Sequence, residues 1–165
     1  MSGQLKMNRA DQYRLFIPFY TAENDRYEYL TTRANIFLAV IAALATAAGF
    51  GTVETFEATR LHWAIIITGA FSGIFLLLSL GAIVLSLRIL TYKDICDVED
   101  LVLEIEEKGY EEADVYSILL ANLADAIKHN RAVNDRRARY LEHAVVLLGL
   151  SLTSYIILIV TKVII

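Results

Sequence analysis

Polar side chains interrupt an apolar stripe late in the chain, and their types suit the binding of an anion. The stripe has spacings of three and four residues, which place side chains on one helix face; it consists of Leu119, Leu123, Ile127, Asn130, Asn134, Arg137 and Leu141. Amides and cations in this pattern can bind a phosphate group. The candidate ligand-binding residues are therefore Lys128, Asn130, Arg131, Asn134 and Arg137.

Two other interpretations fit the same stripe. Asparagines buried in a helical seam fix register and oligomeric state at a cost in stability. Alternatively, the basic face is solvated or lies against lipid headgroups. The residue pattern alone leaves all three interpretations open.

Residues for catalysis or metal binding form no recognisable pattern. His62, His129 and His143 lack the carboxylate spacing of a metal site, and no H-E-x-x-H arrangement occurs. The serines lack a nucleophile-elbow context, and there is no glycine-rich phosphate loop. The single cysteine, Cys96, excludes an intrachain disulfide. We expect no enzyme and no metal cofactor.

Three apolar blocks must position these side chains, because a hydrophobic content of 56% is too high for most soluble domains. Residues 34–53 carry no charge and, at about 1.5 Å per residue, can cross a hydrocarbon core of about 30 Å. The other two blocks are residues 61–90 and 144–162. The sequence predicts an all-α membrane protein with three transmembrane helices.

Charge predicts its orientation. Lysines and arginines cluster before the first span, after the second and before the third, whereas the loop between the first two spans holds only Arg60. The positive-inside rule then puts the amino terminus and residues 91–143 in the cytoplasm. The formal net charge of -4 predicts no nucleic-acid partner.

The two cytoplasmic segments differ in character. Residues 1–33 are polar and aromatic, and we expect Pro18 to interrupt any continuous helix, with a short helix from about Thr21. Residues 91–143 predict a helical hairpin that turns at Gly109. Its first arm has Ile95 to Ile105 at helical spacing and extends the second span, and its second arm runs from about Ala113 into the third.

The spans contain small residues at intervals of four, which let helix backbones approach closely in lipid. These positions are Ala39, Ala43, Ala47 and Gly51 in the first span and Gly69 and Gly73 in the second. They can serve packing within one three-helix protomer or assembly of a homo-oligomer, which we expect. Span serines and threonines can likewise hydrogen-bond between helices or line a wet pore.

Two stretches resemble a known family: YLTTRANIFLAV at 29–40 and LANLADAIKHNRAVNDRRARYLEHA at 120–144. They are similar to the transmembrane effectors of Pycsar anti-phage systems, in which a pyrimidine cyclase makes cyclic CMP or cyclic UMP. The resemblance extends from about residue 25. The residues that match its pattern are Arg33, Asn35, Asn130, Asn134 and Arg137.

The resemblance implies an effector that impairs the inner membrane after a cyclic-nucleotide signal and stops the infected cell. The chain departs from the family in having no separate cyclic-nucleotide-binding domain. A nucleotide would therefore have to bind the hairpin itself, between protomers. The alternative function is a small membrane scaffold or accessory subunit that anchors a cytoplasmic partner.

Overall fold

Three long α-helices make up the computed structural model, which describes residues 8–52, 62–88, 92, 93, 107 and 109–164. Helix α1 spans Arg9–Thr52, α2 spans His62–Arg88 and α3 spans Glu112–Ile164. No strand occurs among the described residues. Each helix contains a segment long and apolar enough to cross a membrane. The predicted all-α membrane protein with three spans is confirmed.

Helix α1 continues through Pro18, and the expectation that this proline would interrupt it is wrong. Proline removes one backbone hydrogen bond and crowds the carbonyl four residues earlier, at a cost of about 3 kcal/mol. Contacts on both sides of Pro18 offset that cost: Tyr13 packs on Tyr116 with ring centroids 6.4 Å apart, and Glu23 contacts α3. Tertiary packing thus outweighs local propensity here.

The turn before α3 lies where the glycine predicted it. Gly109 has a φ of 63°, a left-handed conformation that glycine adopts without strain. The carbonyl of Glu111 then accepts hydrogen bonds from the amides of Asp114 and Val115, and the helix begins there. The predicted first arm of the hairpin, residues 95–105, lies outside the described residues. The expectation that this arm extends α2 as one continuous helix is wrong, because α2 ends at Arg88 and neither Tyr92 nor Lys93 is helical.

The chain divides into two compact units, and the division falls inside α1 and α3. Unit 1 comprises Met1–Tyr29 and Leu90–Asp135; unit 2 comprises Leu30–Ile89 and Arg136–Ile165. Among the described residues of unit 1, the buried apolar side chains belong to α3: Leu123, Ala126, Ile127 and Val133. In unit 2 all three helices contribute to one core, which includes Leu30, Ala34, Ile83, Leu141 and Ala144.

Three hydrogen-bonded serines join α2 to α3 in unit 2. The Ser79 hydroxyl donates to the Ala144 carbonyl (2.9 Å), the Ser86 hydroxyl to the Arg137 carbonyl (3.3 Å), and Ser72 exchanges hydrogen bonds with Ser151. Successive pairs lie seven residues apart on both antiparallel helices, which is the repeat of a coiled-coil seam. We call these contacts the serine seam. For these residues, hydrogen bonding between helices is confirmed.

Substituting Ser79 should loosen this seam. Ser79→Leu places a large side chain at a fully buried position. Overpacking of this kind lowers the free energy of unfolding by about 1–3 kcal/mol. Thr153→Leu is the matched control, because Thr153 is exposed and its hydroxyl bonds only the Gly149 carbonyl of its own helix. We expect a lower unfolding midpoint in detergent for Ser79→Leu alone. Equal midpoints for the two variants would contradict a packed seam.

Candidate functional site

The carboxylate of Glu23 is the centre of a polar cluster in unit 1. Glu23 is only 7% exposed. Its Oε1 accepts a hydrogen bond from Arg131 Nε at 3.2 Å, and its Oε2 accepts one from Asn134 Nδ2 at 3.0 Å. Arg26, one turn further along α1, lies 3.8 Å from Oε2. We call Glu23, Arg26, Arg131 and Asn134 the Glu23 cluster.

Asn134 contacts both the Glu23 side chain and the backbone of α1. Its amide nitrogen also donates to the Glu23 backbone carbonyl at 2.8 Å, so one group bridges main chain and carboxylate. The residue is fully buried, and its Oδ1 has no hydrogen-bond partner among the described residues. A buried charge needs such donors, because an unpaired one costs several kcal/mol.

The periphery of the cluster is more exposed and therefore weaker. Arg131 has 60% of its side chain exposed. Arg26 also pairs with Asp135 at 2.8 Å, with both side chains more than one third exposed. Exposed ion pairs contribute at most about 1 kcal/mol each. Most of the hold on Glu23 consequently comes from the buried amide of Asn134.

Asn130 makes a second amide contact in unit 1. Its Oδ1 accepts from the Lys93 backbone amide at 2.9 Å, and its Nδ2 donates to the Lys93 carbonyl at 3.0 Å. The Lys93 ammonium also pairs with Asp125, and this ammonium lowers the pKa of the exposed Asp125 carboxyl. Together these contacts fix Lys93, beyond the end of α2, against α3.

Tyr92 has a buried hydroxyl next to these amides. The hydroxyl oxygen has no hydrogen-bond partner in the described part of the chain, although Asn130 and Asn134 lie beside it. Its ring packs on Tyr27 with centroids 4.8 Å apart. Desolvation by burial, followed by the charges of Tyr20 and Glu23, raises the pKa of Tyr92 from 10.0 to about 12.

Arg137 acts in unit 2 as a cap on α2. The residue is 1% exposed; its Nε donates to the Ser86 carbonyl at 3.1 Å and its Nη2 to the Thr31 hydroxyl at 2.8 Å. Ser86 lies in the last turn of α2, where carbonyls lack helical partners and the dipole favours a cation. Arg137 is therefore a structural link among the three helices.

The polar centre of the α3 stripe is buried, so its interpretation as a solvated basic face is wrong for Asn130, Asn134 and Arg137, whereas Leu119 at the start of the stripe is only half-buried. All three are buried because α1, the last turn of α2 or the segment after α2 covers them with hydrogen-bond partners. Lys128 and Arg131 are exposed at the edge of that face.

The structure brings only part of the predicted ligand site together. Arg131 and Asn134 meet at Glu23, and Asn130 lies in the same unit. Lys128 is near Asp125 rather than Glu23 in the contacts described, and Arg137 belongs to unit 2 with other partners. The side-chain amides of Asn130 and Asn134 form hydrogen bonds within the chain, to Lys93 and to Glu23. Ligand binding by these five residues stays a prediction.

Some of the small-residue positions in unit 2 pack between helices, whereas others are exposed. A Cβ on Gly69 would meet Leu158 at 3.3 Å, so this glycine serves packing of α2 on α3. Nothing described lies within 4 Å of a Cβ on Gly73, and Ala39 and Ala43 are exposed. The side-chain environments of Ala47 and Gly51 lie outside the described residues. The exposed positions remain available for the predicted homo-oligomer.

Sequence reasoning missed Glu23 and Tyr92. A signal for Glu23 was present: where burial is described in α1, the buried residues are Glu23, Leu30, Ala34 and Ile41, at spacings of seven and four. Extending the apolar face of the first span backward by seven residues from Leu30 reaches Glu23. No comparable periodicity marks Tyr92, which follows the end of α2.

The comparisons add no family to this geometry. No family model, no curated protein and no solved structure matches the chain. Among the described residues, no group of three or more histidine, cysteine, aspartate or glutamate side chains is placed to hold a metal ion. The functional argument therefore starts from the Glu23 cluster.

The Tyr92 hydroxyl should make stability fall in alkaline solution. The unfolded phenol ionises near its ordinary pKa of 10.0 and the folded one near about 12, so between these values the unfolded state loses its proton first. We expect the unfolding midpoint to fall more steeply with pH above about 10 in the wild type than in Tyr92→Phe. Tyr29→Phe, at an exposed ring, is the control. Identical pH profiles for wild type and Tyr92→Phe would refute the burial of this hydroxyl.

Proposed function

We propose that the chain is a homo-oligomeric effector of the bacterial inner membrane, which impairs the membrane when a signal acts on the Glu23 cluster. The observation that carries this proposal is the contact of Glu23 with Arg131 and Asn134. Arginine and amide donors of this kind also bind phosphate. Glu23 thus occupies the donors that an anionic ligand would need, as an internal substitute for that ligand.

Competition with Glu23 would give the signal its effect. An anion that takes Arg131 and Asn134 leaves the carboxylate buried without its donors, which is unfavourable by several kcal/mol. The α1 segment around Glu23 then moves away from α3. A ligand shifts such an equilibrium only through its preference for one state, and here that preference is for the donors freed of Glu23.

Helix continuity supports transmission to the membrane. Helix α1 has 44 residues and α3 has 53. Each is continuous, and each contains residues of the Glu23 cluster as well as a candidate membrane span. On this proposal, displacement of a helix at the cluster changes the packing of the apolar segment in the same helix. Ala39, Ala43 and Gly73, open in the protomer, are the surfaces at which packing between protomers would change.

The resemblance to Pycsar effectors suggests cyclic CMP or cyclic UMP as the first ligands to test. Their single phosphate matches one carboxylate in charge. Lys128 lies three residues before Arg131 on α3 and is exposed, so it can approach a phosphate bound by Arg131. The nucleotide would thus use Arg131 and Asn134 directly, with Lys128 at the edge.

Removing the charge of Glu23 should mimic the signal. Glu23→Gln keeps the shape but removes the charge, so hydrogen bonds to a carboxylate, about 1.5–3 kcal/mol each, become at best neutral ones of about 0.5–1.5 kcal/mol. We expect induced Glu23→Gln to depolarise a bacterial host and arrest its growth without any trigger, while the wild type at equal membrane level does not. Membrane potential is read with a voltage-sensitive dye.

Two controls isolate the effect. Glu28→Gln removes an exposed carboxylate from the same helix and should leave growth normal. Ser79→Leu, destabilised at the serine seam, tests whether reduced stability alone is toxic. Normal potential in cells that insert Glu23→Gln at wild-type level would overturn the proposal. Stoichiometric co-purification of a different protein together with that result would favour the scaffold.

A further inference from the structure

A groove on unit 2 lies between α2 and α3, outside the Glu23 cluster. It has a volume of about 760 Å³ and is open along its length. Much of its wall is apolar, and Leu77, Leu78 and Leu85 of α2 and Leu147 of α3 contribute to it. Leu77 is 68% exposed. This volume lies within the range of roughly 300–1,000 Å³ typical of small-molecule sites.

The other end of the wall is basic and aromatic. Arg136, Arg139, Tyr140 and His143 line it from successive turns of α3, and all four are exposed. The lining residues that the structure describes include no acidic side chain. A concave surface with cations at one end, beside Leu85, and Leu77, Leu78 and Leu147 toward the other is complementary to a molecule with an anionic head and an apolar tail.

The order of these residues along α3 runs from the headgroup level toward the hydrocarbon. From Arg136 to Leu147 the helix rises roughly 16 Å, at about 1.5 Å per residue, and the basic turns take about 10 Å of that rise. The groove therefore covers a headgroup layer and the adjoining part of a leaflet, whose hydrocarbon depth is about half of 30 Å. The basic turns precede the apolar segment of α3, and a tyrosine among them suits the interface between headgroups and chains.

From these observations we infer that the groove is a binding site for an anionic phospholipid. Its phosphate lies against Arg136, Arg139 and His143, and an acyl chain follows the leucines. Arginine binds phosphate oxygens with two donors at once, which gives preference over a zwitterionic lipid whose headgroup carries a compensating cation. The inference is independent of the function proposed above.

Gly81 provides the space for the chain. It lines the groove, and nothing described lies within 4 Å of where a Cβ would stand. A larger side chain there fills the groove rather than the protein interior. Leucine is also a better helix former than glycine, so Gly81→Leu should fold. The substitution therefore tests occupancy of the groove without removing a charge.

The test is lipid retention by the purified full-length protein in detergent with equal amounts of phosphatidylglycerol and phosphatidylcholine, measured by native mass spectrometry. We expect the wild type to retain phosphatidylglycerol about tenfold over phosphatidylcholine. Arg136→Gln with Arg139→Gln should reduce this preference at least several-fold. Gly81→Leu should reduce retention of both lipids.

The matched control is Arg33→Gln with Arg88→Gln. Both arginines are exposed and flank candidate spans, and neither is among the described lining residues. Unchanged preference in this control supports a defined site. An equal loss in the control pair would mean general surface attraction and overturn the inference. So would equal retention of the two lipids by the wild type. Conversion of a dimer to a monomer by Gly81→Leu, with lipid retention unchanged, would instead assign the groove to a second copy.

Discussion

The hold of Asn134 and Arg131 on the carboxylate of Glu23 is the interaction on which the proposed behaviour depends. A buried carboxylate has two stable arrangements: paired with donors, or moved out to water. Intermediate positions are unfavourable because they leave the charge desolvated and unpaired. This property makes the contact between α1 and α3 in unit 1 suited to two discrete states rather than to gradual loosening.

The same face of α3 uses different polar chemistry in unit 2. There the serine seam and Arg137 satisfy backbone carbonyls, and no described contact of the seam is an ion pair. Neutral hydrogen bonds suit a segment expected to lie in lipid, where small side chains permit close packing and charges are unfavourable. Arg137 is buried just before the apolar part of α3, where the end of α2 gives it carbonyl acceptors.

Much of this arrangement could be predicted from residue types. Length and hydropathy define the three candidate spans, since few soluble helices are so long and uncharged. The spacing of Leu123, Asn130, Asn134 and Arg137 predicts the buried face of α3, because helical periodicity is a local property. Gly109 and the acids after it predict where α3 begins.

Tertiary contacts were harder to predict, because they depend on which faces meet. The stripe on α3 does not show whether its amides face water, another protomer or α1. The position of Glu23 is what decides between water and α1. Pro18 was misjudged because its cost is local, whereas the packing of Tyr13 and Glu23 that offsets it is not. The Tyr92 hydroxyl has no periodic pattern around it that could reveal its burial.

The central claim is that the charge of Glu23 holds α1 on α3. It is tested most directly by pulsed electron resonance distances between nitroxides at Ala22→Cys and Ala132→Cys, two exposed positions in unit 1, with Cys96→Ser as background. With the labelled protein diluted into unlabelled protein, so that pairs within one protomer dominate, a single narrow distance distribution is predicted with Glu23 present, and a longer, broader one after Glu23→Gln. Identical distributions for the two proteins would contradict the account.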